Sequence, residues 1–237
     1  MPNKYVDFVS DEDFLECVER VINAYPDKNQ ETPSPTKLLK NYEHGIDEFK
    51  AMFDMCVNRM DFQNWIKAEK IRQDGKRVEN KMGEFHQQLL GKVEGWEDLG
   101  TGDSSHVDLK NDEGTIYIEI KNKKNTINDG SGKNVRNNLE EIVKNNKEAI
   151  GYWAYIIQGG YKSEEDVWVR EGYETNDRIR KISCDKVYEL VTGDPHALEK
   201  TYDALPKAIG DILGITIEFS DTDQQLISEF KDYIFDD

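Results

Sequence analysis

The chain has 237 residues, 31 Lys+Arg against 48 Asp+Glu, and a formal net charge of −17, with 37% hydrophobic and 33% charged residues. No run approaches the roughly 18 apolar residues of a membrane helix, and MPNKYVDFVSDEDF at the start lacks the apolar core of a signal peptide. Cys17, Cys56 and Cys184 are too far apart for a zinc knuckle and odd in number for a disulfide framework, so a soluble cytoplasmic protein with free thiols is expected.

The acidic total speaks against phosphate binding only if the charge is evenly spread. It is not. Ile217 to Asp237 carries Glu218, Asp221, Asp223, Glu229, Asp232, Asp236 and Asp237 against Lys231 alone, whereas Lys121 to Asn137 carries Lys121, Lys123, Lys124, Lys133 and Arg136 against Asp129 alone. Lys67 to Lys81 also leans positive. A basic cleft in an acidic body is compatible with this order.

In chain order, Ser10 and Asp13 form a capping pattern for a helix to Tyr25, with Phe14, Val18, Val21 and Ile22 as its stripe. Pro26 to Pro35 reads as a loop. A second helix starts near Ile46; Phe49, Met52, Phe53, Cys56, Val57 and Met60 recur at helical spacing, and core packing accounts for them. A third runs from Phe62 to about Ile71, with a break at Gly75. A fourth runs from Arg77 to Leu90 and buries Val78, Met82, Phe85 and Leu89. The period then falls toward two. His106 to Leu109 and Ile116 to Lys121 read as strands joined by the turn Asn111–Gly114. Next come a helix with Val135, Leu139, Ile142 and Val143 inward, a central strand Ile150 to Gln158, and strands at Asp166 to Arg170 and Arg178 to Ser183. Helices follow at Asp185 to Val191, Ala197 to Leu213 and Thr222 to Tyr233, with an edge strand at Ile215 to Phe219. The expected class is α/β, bordering on α+β: a mixed central sheet flanked by helices. Residues 1–75 form a helical N-terminal subregion and 76–237 the core with its C-terminal helices.

One constellation carries chemistry. Glu119 and Lys121 in IEIKNK project from one strand face while Ile118 and Ile120 point into the core. Asp108 in HVDLK lies on the partner strand, opposite Glu119 or one pair away, roughly 5–8 Å across the face. Two carboxylates at that spacing suit one Mg²⁺, which keeps several waters and takes one or two carboxylates. An adjacent ammonium orients a water or adds positive charge at a phosphoryl group. By itself D…ExK is a weak pattern, since exposed strands commonly alternate Glu and Lys.

The set Asp108, Glu119, Lys121 resembles the catalytic core of the PD-(D/E)xK nucleases, with Val107 where the motif's name has Pro. The runs KMGEFHQQLLGKVEGW, IEIKNKKNT, YWAYIIQ and ISCDKVYELVTGDPHAL extend the likeness, from about Phe49 to Leu205, to one family of type II restriction endonucleases that cut GGNCC- and GGWCC-type palindromes. The resemblance implies a restriction-endonuclease-like core and Mg²⁺-dependent hydrolysis of double-stranded DNA. It also implies a homodimer on a palindrome and a cognate methyltransferase as functional partner. Asp108 and Glu119 would hold the metal and Lys121 would act beside them. The family directs attention to Glu84 as a further carboxylate on the preceding helix, whose face it shares with Asn80, Gln87 and Gln88. DNA contacts are expected from Lys123, Lys124, Asn125, Thr126, Lys133, Arg136, Asn137 and Gln88. His86 reads as a packing histidine, and His106 as support for the site or a phosphate contact. Gly130-Ser131-Gly132-Lys133 fails as a phosphate loop, because Asn134 stands where Ser or Thr belongs. Two competing readings are a repair nuclease with the same core and a non-catalytic acidic DNA mimic.

Overall fold

The computed structural model describes residues 3–26, 45–100, 103, 105–123, 129–157 and 162–235. Among them are seven helices, α1 (Asp11–Ile22), α2 (Glu48–Asn58), α3 (Phe62–Leu90), α4 (Asp129–Asn145), α5 (Cys184–Thr192), α6 (Ala197–Leu213) and α7 (Asp221–Phe235). The strands are β1 (Trp96–Asp98), β2 (Leu109–Asn111), β3 (Ile116–Lys123), β4 (Ile150–Ile157), β5 (Glu165–Val167) and β6 (Ile179–Ser183). No helix among the described residues is long and apolar enough to cross a membrane. The chain divides into two compact units, residues 1–19 with 83–237, and residues 20–82.

The larger unit is built on one six-stranded sheet in the order β1-β2-β3-β4-β6-β5. The hairpin β2–β3 is antiparallel, with Leu109 opposite Ile118. It is turned at Gly114, whose φ of +65° favours glycine. Strands β3, β4 and β6 run parallel, and α4 makes the crossover between the first two, as a parallel pair requires. Leu139 of α4 seats on Gly151, where any Cβ would come within 2.9 Å of it. Val135, Leu139 and Val143 join Trp153, Tyr155, Trp168 and Ile179 in one buried cluster. The register sets Glu119 beside Trp153 and Lys121 beside Tyr155, so the α4 side of the sheet is the one that carries Glu119 and Lys121. On the opposite side lie Ile118 and Ile120, both buried, and Gly83 of α3 stands 3.6 Å from the Asn122 Cβ by its ideal Cβ position. The mixed sheet between helices is the architecture that the sequence leads one to expect.

The smaller unit holds α2 and the first part of α3. Ala51, Trp65 and Ile66 are its buried centre, with Ile46, Met55 and Met60 packed around them. The Asp47 side chain caps α2 by accepting the Lys50 N–H at 2.9 Å.

Four local expectations are corrected. Gly75 does not break a helix, because α3 runs unbroken through it; one interior glycine costs about 1 kcal/mol, less than packing returns. The first hairpin strand starts at Leu109 rather than His106, whose φ of +54° cannot continue a strand. Residues 215–219 form no strand. The α2 stripe is not core: Phe49, Met52, Phe53 and Val57 are all exposed. The expected loop at Pro26–Pro35 lies, apart from Pro26, outside the described residues.

Candidate active site

Asp108 stands immediately before β2, at the point where ladder pairing with β3 gives way to a side-chain bond. Its main-chain N–H donates to the Ile118 carbonyl at 3.0 Å. Its carboxylate Oδ2 accepts the Ile120 N–H at 2.6 Å. Continuing the hairpin register by one pair places Asp108 opposite Glu119 on the same face. Apolar residues behind the strand and polar residues in front thus fix both carboxylates by the period of two. Lys121, next on that face, donates from Nζ to Glu119 Oε1.

Glu119 is buried, and its carboxyl is pushed up to about 7, first by desolvation and then by the negative charge of Asp108; Lys121 pulls the other way. Asp108 is also raised, chiefly by desolvation; the Ile120 N–H and Lys121 oppose this, and Asp98 adds to it. Two carboxylates in a poorly solvated site with one ammonium form an arrangement that a divalent cation relieves. The donor set is hard oxygen, and one or two carboxylates are what Mg²⁺ takes from protein. The residues therefore fit such an ion. Among the described residues no three of His, Cys, Asp and Glu converge. Glu84, half-buried on α3, is thus not assembled with the pair into a three-carboxylate site.

Sequence reasoning missed two supports. Asp98 of β1 accepts Gln87 Nε2 at 2.6 Å and the Gly100 N–H at 2.8 Å, and its charge reaches Asp108. Gln87, not the neighbouring Gln88, makes this link from α3; Gln88 is half-buried on the same helix. The period-two run starting at Trp96 was the available signal. The second support is Glu164, buried beside Ser183. Its carboxylate accepts the Tyr155 hydroxyl, Lys181 Nζ at 3.0 Å and Lys162 Nζ at 3.3 Å. This fixes Tyr155, the strand neighbour of Lys121. Nothing in the sequence linked Glu164 to β4.

The expected DNA contacts separate. Lys124, Asn125 and Thr126 lie outside the described residues, and so does the side chain of Lys123. Lys133 and Asn137 are exposed on α4; Asn137 Oδ1 accepts the Tyr173 hydroxyl at 2.8 Å. Arg136 is a correction. It is fully buried. Its guanidinium donates to Glu140 Oε1 at 3.0 and 2.8 Å, to the Glu174 carbonyl at 2.9 Å and to the Trp168 carbonyl, and it lies over the Trp168 and Tyr173 rings. Four of its five N–H donors are taken and the side chain has no exposed surface, so it is not placed to meet a phosphate. Arg136→Ala is expected to cost about 2–4 kcal/mol, because it leaves two main-chain carbonyls without their donor and empties a buried site beside Trp168, while the half-exposed Glu140 can turn to solvent. Chemical denaturation checks this; an unchanged midpoint would contradict the structural role.

His86 packs as a core histidine: Nδ1 lies 2.9 Å from the Tyr188 hydroxyl, and burial lowers its pKa to about 4. His106 is exposed in its turn, and its carbonyl accepts Asn138 Nδ2 at 3.4 Å. Gly130 to Lys133 are helical, so no phosphate-cradling loop forms there.

Residues 6–214 match the Eco47II restriction endonuclease family. The type II restriction enzyme Sau96I of Staphylococcus aureus is 34% identical over 222 residues, spanning 89% of this chain and 82% of that one. The type II restriction enzyme Eco47II of Escherichia coli is 34% identical over 218 residues, spanning 88% of each. Enzymes of this type generally use divalent metal ions and act on double-stranded DNA. With the match running through the hairpin, α4 and the parallel strands behind it, the chain belongs to the Eco47II restriction endonuclease family.

Proposed function

We propose that this restriction endonuclease cuts double-stranded DNA at a short GG…CC palindrome, with Mg²⁺ held by Asp108 and Glu119 and with Lys121 beside the scissile phosphate. The observation that carries the reading is the Asp108–Glu119–Lys121 row: two carboxylates raised by burial, an ammonium on the same face, and a family match over the whole hairpin. The target class is what the resemblance to the family cutting GGNCC- and GGWCC-type palindromes implies.

When bound, Mg²⁺ supplies Lewis acidity and a lowered pKa for the attacking water. The chain does the rest. The Ile120 N–H holds one oxygen of Asp108, which fixes the direction of its carboxylate. Glu119 carries negative charge in a poorly solvated place, so its attraction for a cation is weakly screened. Lys121 can leave Glu119 for the attacking water or a phosphoryl oxygen, and its ammonium opposes the negative charge that builds on phosphorus. The Tyr155–Glu164–Lys181 bonds stiffen the strand next to it. A palindrome is read by a two-fold dimer, each subunit cutting one strand, and the host's own sites require a cognate methyltransferase.

Digestion of a plasmid of known sequence in Mg²⁺, followed by sequencing of the ends, tests the proposal. Discrete ends at GG…CC sites are expected. Random degradation would favour a repair-type nuclease, and intact DNA with tight protein binding a non-catalytic role. Replacing Mg²⁺ by Ca²⁺ should preserve specific binding and suppress cutting, because the larger ion's looser shell fits the reaction poorly.

A further inference from the structure

Helix α2 has two apolar faces. Ala51 and Met55 turn inward, against the cluster of Trp65 and Ile66. On the other side, Phe49, Met52, Phe53, Cys56 and Val57 follow the spacing i, i+3, i+4, i+7, i+8 and cover an arc of about 140° at 100° per residue. Phe49 is 81% exposed, Met52 59%, Phe53 69% and Val57 73%. The inward face is already occupied, so the outer stripe is not a core awaiting its own helix.

We infer that this stripe is the surface through which two copies of the chain associate. The inference rests on the homodimer reading and names its interface. Three observations are consistent with a second copy as the partner. The four exposed side chains, at up to about 200 Å² each, present on the order of 500 Å² of apolar surface; a specific dimer needs roughly 800 Å² from each partner, so a modest polar rim completes it. The spacing is that of a helix-packing seam, and a single α2 laid antiparallel against its symmetry mate makes the self-complementary contact that a two-fold requires. Charge agrees as well. The chain carries −17, a total that opposes self-association wherever like charges would meet. Helix α2 carries only Glu48 and Asp54 against Lys50, with Lys50 paired to Asp54, so it joins two like-charged bodies at a place of little charge.

The protein contains its own probe. Cys56 is exposed within the stripe, whereas Cys17 and Cys184 are buried. Light scattering on the full chain, alone and on a one-site duplex in Ca²⁺, should give a dimer for wild type. The variant carrying Phe53→Asp and Val57→Asp should halve that mass, with circular dichroism unchanged. A short bismaleimide should join two wild-type chains through Cys56, and Cys56→Ser should abolish the adduct while leaving the dimer mass. A dimeric variant, or a wild-type dimer that Cys56 does not cross-link, overturns this surface and leaves the homodimer reading intact. A wild type monomeric in both conditions overturns both. If the double variant does not fold, the cross-link on wild type decides.

Discussion

Replacing Asp108 by Asn, or Glu119 by Gln, is expected to reduce DNA cleavage by at least about 1000-fold and to raise the melting temperature of the metal-free protein at pH 8. Both effects have one origin. The folded Glu119 carboxyl titrates near 7 against an ordinary value of 4.5, so the folded state binds more protons than the unfolded one between those two values. Stability of the metal-free chain therefore falls as pH rises from 4.5 to 7, and the loss is complete above 7. A neutral isostere removes it. The shift corresponds to roughly 3 kcal/mol at most, and each kcal/mol moves the melting temperature of a chain this size by about 2–4 °C. Below pH 4.5 the difference between Glu119→Gln and wild type should vanish. The site is thus strained for its cation, the trade of stability for activity seen where charges are buried for function. Thermal melts across this range check the first effect and single-turnover cleavage the second. A Glu119→Gln variant that melts lower than wild type at pH 8 would contradict the buried-charge account, and near-normal cleavage would remove the carboxylates from the mechanism.

The second large effect is that of Lys121→Ala. Its ammonium is bound to Glu119 in the resting site, and its expected task arises as charge builds on the phosphoryl group. Loss confined to the transition state lowers turnover without weakening ground-state binding. Cleavage should fall by about 100-fold or more, the usual scale for one electrostatic contact at a reacting centre, while the affinity for specific DNA in Ca²⁺ changes by less than about threefold. Lys123→Ala and Lys124→Ala serve as comparators: they should weaken binding modestly, flatten its salt dependence and spare the single-turnover rate. If Lys121→Ala behaves as those two do, the residue is only part of a basic surface.

The hairpin, the central strand and the crossover helix were legible because each depends on a local period. Ile116, Ile118 and Ile120 alternate on one strand face, where Ile118 and Ile120 are buried and Ile116 half-buried, and Val135, Leu139 and Val143 recur over one buried stripe. The catalytic row followed from the same alternation. What was illegible depended on distant parts of the chain. Arg136 lies in a stretch whose other charges read as a DNA surface, yet Trp168 and Glu174 enclose it from more than 30 residues away. Asp98 and Glu164 acquired their roles from Gln87 and from Tyr155, which no spacing rule connects to them. The stripe of α2 reads identically whether it meets its own core or another chain, because periodicity reports an apolar face and not its occupant. Gly75 illustrates the limit of propensity, since α3 passes through it.

The claim on which the account rests most heavily is that Asp108 and Glu119 together hold the catalytic cation. Substituting Fe²⁺ for Mg²⁺ and adding ascorbate and peroxide generates hydroxyl radicals at the ion, which cut the polypeptide nearby. Mapping those cuts by mass spectrometry locates the ion without relying on DNA cleavage. Breaks should cluster beside Asp108 and at Glu119–Lys121, fade with excess Mg²⁺, and be lost in Asp108→Asn and Glu119→Gln. Breaks elsewhere, or the same breaks in both variants, would contradict the assignment.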